Sequence, residues 1–113
     1  MPRPAERGTE LSETNLALWR EGCALIAQMT RREYAAGESA RYWRFREIDK
    51  MLTWGLVGPH STSLFCHTLD DPPEKWTRPG VGDYVAWPEA QTWRRALIEA
   101  TGLAPGTRRL KDY

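Results

Sequence analysis

Apolar residues recur at alternating intervals of three and four in two successive stretches, and this spacing limits the fold more than any other feature of the chain. Leu16, Trp19, Cys23 and Ile26 form one stripe, and Tyr42, Phe45, Ile48 and Leu52 form the other. At 3.6 residues per turn each stripe is a single helical face, so two amphipathic helices must bury their apolar sides together or against a third element. The first helix is expected from Ser12 to Tyr34. Ser12 is placed to accept a hydrogen bond from a free amide, and Gly37 to take the left-handed conformation beyond the end. Leu18, Leu25 and Met29 widen its apolar surface, which calls for burial against more than one element or against one element plus a partner. Ser39 caps a second helix from about Ala40 to Trp54. The short connection through Ala36, Gly37 and Glu38 makes the pair an antiparallel hairpin.

Beyond the hairpin the periodicity changes. Gly55, Gly58 and Pro59 stop the second helix, and Ser61 to Leu69 is a run of short, β-branched or apolar residues closed by Asp70, Asp71, Pro72 and Pro73. That composition predicts a strand. Val81 to Trp87 predicts a second one, able to pair antiparallel with the first across the loop holding Trp76. Pro88 suits the first turn of a last helix, with Ala90, Trp93, Leu97 and Ala100 on its buried face and Gly102 at its end. The expectation is therefore an α+β fold: a helical hairpin, a two-stranded ribbon and a C-terminal helix. Residues 11–103 form the single domain, between a flexible segment 1–10 and a basic flexible tail 104–113.

Composition narrows the class of protein. The 113 residues carry 16 Lys plus Arg against 15 Asp plus Glu, and 41% are hydrophobic, which suits a folded domain rather than a disordered chain. No window approaches the roughly eighteen apolar residues of a spanning helix, and the first residues lack the apolar core of a secretory signal. A cytoplasmic protein with no membrane association is expected. Cys23 and Cys66 fit neither a disulfide framework nor paired-cysteine zinc spacing and read as two free thiols. No cofactor, metal ligand or catalytic residue is assigned.

Three sets of residues are candidates for function. Six tryptophans are present. Trp19 and Trp93 fall on core stripes and Trp87 closes a strand. Trp43, Trp54 and Trp76 do not fall on a core stripe, so each packs on another element, such as the ribbon, or waits for a partner. With Arg44 and Arg46 they form the candidate partner-binding set. A small protein-binding or regulatory factor follows as the leading expectation, with a protein partner or a homo-oligomer, including a dimer through the wide face of the first helix. Accessory and inhibitor proteins of bacterial mobile elements have this size, an analogy without a motif behind it.

The alternative is nucleic-acid binding through Arg41, Arg44, Arg46 and the tail residues Arg108, Arg109 and Lys111, because arginines interleaved with aromatics can hold phosphates and stack on bases. Residues 31–50 carry six positive charges but also four negative ones, which weakens the attraction for phosphate. The third expectation is a small enzyme or metal protein around Cys66 and His67, with Asp71 or Asp83 as an acid–base partner. Neighbours on a strand project to opposite faces, which keeps Cys66 and His67 off a common ion.

Overall fold

The structure, a computed structural model, describes residues 11–77 and 87–106. Helix α1 spans Glu13–Gln28, α2 Arg31–Ala36, α3 Ala40–Leu56, α4 Glu74–Thr77 and α5 Trp87–Thr101, with a 3₁₀ turn at His67–Asp70. Among the described residues there is no strand, so the fold is all-helical rather than α+β.

The helix expected from Ser12 to Tyr34 is two helices. Ser12 does cap α1, accepting from the Asn15 amide at 3.1 Å. At the far end Met29 turns extended (φ −83°, ψ 139°), and the Thr30 hydroxyl accepts the Glu33 amide at 3.0 Å to start α2. Local capping by a hydroxyl competes with continuing the helix, and here it wins because the turn also drives Met29 into the core. Gly37, at φ 65°, ends α2 and not the long helix. Ser39 caps α3 through the Tyr42 amide.

The segment expected as the first strand, Ser61 to Leu69, runs as irregular chain into the 3₁₀ turn. Side chains of the flanking helices take the hydrogen bonds that a neighbouring strand would have made. Thr53 of α3 accepts the Leu64 amide at 3.2 Å, Arg94 of α5 donates to the Leu64 carbonyl at 2.9 Å, and Gln91 donates to the Leu69 carbonyl at 2.7 Å. Ser63 turns back on its own segment, accepting from the Phe65 amide. With its buried polar groups satisfied in this way, the segment needs no ladder. Of the second expected strand, Val81 to Ala86 lie outside the described residues and Trp87 begins α5. The expected flexible segment 1–10 and residues 107–113 of the expected tail 104–113 also lie outside them.

The core joins both parts of the chain. Trp19, Phe45, Ile48, Leu52, Leu64, Leu69 and Leu97 are buried together. Phe65 reaches from the irregular segment to stack on Trp19 at 4.6 Å and to meet Phe45 edge-on at 5.1 Å. Gly22 makes room for it: a Cβ there would stand 2.4 Å from the Phe65 ring. The Trp19 indole donates to the Leu103 carbonyl at 2.9 Å, joining positions 84 residues apart. The apolar surface of α1 is thus taken up within the chain by α3, α5 and Phe65.

Candidate functional site

Helix α3 has two opposite faces. Phe45, Ile48, Leu52 and Leu56 form its buried side. Trp43, Glu47, Lys50 and Trp54, at intervals of four, three and four, fall on the other side by the same helical period. Among the described residues no β-ribbon covers this side, and Trp43 is 61% and Trp54 49% exposed. Met51 is exposed on one flank. On the other flank lies a groove of about 640 Å³, lined by Trp43, Arg46, Lys50 and Trp54 of the helix and by Ser61 and Ser63 of the irregular segment.

The polar groups around this face are pre-positioned. The Lys50 ammonium sits 4.8 Å from the centre of the Trp54 ring, and Arg46 donates to the Tyr42 hydroxyl at 2.9 Å. Neither cation has a carboxylate partner among the described residues. Asp49, at the base of the groove, accepts from the Ser63 hydroxyl at 2.6 Å and the Thr53 hydroxyl at 3.0 Å. Glu47 accepts from Arg44 at 2.7 Å through one oxygen.

Arg44 forks onto Glu21 of α1 at 2.8 and 2.9 Å, and these hydrogen bonds hold the Glu21 carboxyl below its usual range. Arg41 forks onto Glu33 at 2.6 Å for both bonds; with help from Ser39 it brings the Glu33 carboxyl down to about 2. Two of the three helix arginines assigned to phosphate are therefore already engaged. Arg108, Arg109 and Lys111 lie outside the described residues. Trp76 is half-buried, packs against the core and does not line the groove.

Cys66 and His67 are not strand neighbours. They lie at the start of the 3₁₀ turn, and both line a second cleft, of about 460 Å³, with Asp49 and Ser63. Nothing in this geometry sends the two side chains to opposite faces. Among the described residues, however, no group of three or more His, Cys, Asp or Glu side chains could hold a metal ion. Cys23 is buried, and desolvation pushes its thiol up to about 11, away from the reactive thiolate.

Arg94 carries a role that sequence reasoning missed. It is 1% exposed and grips Asp70 at 2.8 and 3.0 Å while also donating to Leu64. This hydrogen-bonded guanidinium is the main reason the Asp70 carboxyl lies below its ordinary value. The available signal was position: Arg94 falls between Ala90 and Leu97 on the buried stripe of α5. Among the described residues no helix is long and apolar enough to cross a membrane. No family model, curated protein or solved structure matches the chain.

Proposed function

We propose that this protein is a cytoplasmic binding factor that works by seating another protein on the outer face of α3, with Trp43 and Trp54 as anchors. The observation that carries this reading is the pair of exposed rings on the side of α3 turned away from the core. A large aromatic left in water contributes little to folding, whereas Trp is among the residues that dominate interface energetics. Arg46 and Lys50 beside the rings supply directed donors, already oriented by Tyr42 and Trp54, which lowers the ordering cost of binding. The two free cysteines suit a reducing compartment. The nucleic-acid alternative is disfavoured because carboxylates occupy Arg41 and Arg44.

The test is retention of host proteins from a native extract on the immobilised protein, followed by mass spectrometry. Trp43→Ala and Trp54→Ala should each lose the retained proteins while unfolding within about 0.5 kcal/mol of the parent, as surface changes do. Retention of the same proteins by both variants, or global unfolding of both, overturns the reading.

A further inference from the structure

We infer that the protein seated on the outer face of α3 is a second copy of this chain, packed antiparallel about a two-fold axis that passes between the two helices at the level midway between Ile48 and Asp49. This rests on the reading just proposed and names its partner. The face reads Trp43, Glu47, Lys50, Trp54, and this order is complementary to its own reversal. In an antiparallel pair centred between Ile48 and Asp49, Trp43 lies level with Trp54 of the second copy, and Glu47 level with Lys50 of the second copy. The two-fold repeats both pairings, as an isologous interface requires. No other register matches both rings with rings and both charges with opposite charges at once, so the order of the face favours this one.

The unbound structure leaves the needed groups available. Lys50 has no carboxylate partner among the described residues, and Glu47 is held by Arg44 through Oε1, with Oε2 unengaged. The rings stand about 16 Å apart along the helix, from eleven residues at 1.5 Å each, so the interface spans three helical turns. The two-fold places the two exposed Met51 side chains together on one flank.

Magnitude sets the expected strength. Covering all four rings removes roughly 500 Å² from water, about a third of a standard protein interface. An interface of that size belongs to the weak, transient class, so dissociation is expected in the micromolar range.

The experiment is sedimentation equilibrium of the full chain from about 1 µM to 500 µM, concentrations chosen to bracket that range. The parent should pass from monomer to dimer. Trp54→Ala and Trp43→Ala should each weaken the dimer about tenfold or more. Glu47→Lys alone and Lys50→Glu alone each set like charges opposite and should weaken it about tenfold, whereas the double exchange recreates both pairs and should restore it to within about threefold. Far-UV circular dichroism confirms that each variant remains helical. A monomer at every concentration overturns the inference; if the tryptophan variants still lose host proteins, the proposed function survives it. A dimer unmoved by either tryptophan change, or a double exchange no tighter than the single ones, also overturns it.

Discussion

Two arginines close different parts of this molecule with the same fork-on-carboxylate geometry, and their surroundings give them unequal weight. Arg44 joins α3 to α1 through Glu21 at 2.8 Å with its side chain 40% exposed. Arg94 joins α5 to Asp70 at the same distance with 1% exposed, and it also holds the Leu64 carbonyl. The first spans two helices that already share a continuous apolar seam, so water and neighbouring contacts can replace it. The second fastens a segment that has no backbone ladder of its own. Distance alone would rank the two clamps as equals; burial and the lack of substitute partners separate them.

Arg94→Leu removes three hydrogen bonds, leaves a buried carbonyl without a donor and underfills the space beside Leu64, so a loss of about 3 kcal/mol in urea unfolding is expected. A loss below about 1 kcal/mol would show that the irregular segment is held by its apolar residues alone. Next in size is Thr53→Val, which keeps the shape of the side chain and deletes the acceptor for the buried Leu64 amide. It should cost about 1–2 kcal/mol. Hydrogen exchange should show faster exchange of the Leu64 amide and little change in α1. The smallest effect belongs to Arg44→Ala, at under about 1 kcal/mol and shrinking as salt is added, as for other exposed pairs. A larger, salt-independent loss would mean that this clamp orders the helix pair, and the contrast would fail.

The same contrast explains what could be read from the sequence. The cores of α1 and α3 were legible because a helix satisfies its own backbone, so its sequence needs only to show which face is buried; Trp19, Ile26, Phe45, Ile48 and Leu52 do this by spacing. The break at Met29 was not, since Thr30 resembles any other mid-helix threonine until its hydroxyl is seen to cap α2. Ser61 to Leu69 misled for a deeper reason. Its composition fits a half-buried extended chain, and it is partly buried, but its hydrogen-bond partners are Thr53, Gln91 and Arg94, at distant sequence positions and without any periodic signature. The burial of Arg94 could be read only from its position on the Ala90–Leu97 stripe. For the candidate site, the shared face of Trp43, Glu47, Lys50 and Trp54 followed from spacing. The exposure of its rings did not, because that depended on whether a ribbon covered them.

The hydrogen bond from the Trp19 indole to the Leu103 carbonyl has a kinetic meaning as well as a structural one. All-helical chains usually fold fast because most of their contacts are local. Here an aromatic buried early in the chain finds its acceptor only after the last helix has been made, and the stacking of Phe65 on Trp19 also joins distant positions. On the ribosome, α1 can form early but cannot complete its surroundings until residues past α5 have emerged. Completion of the core therefore requires nearly the whole described chain.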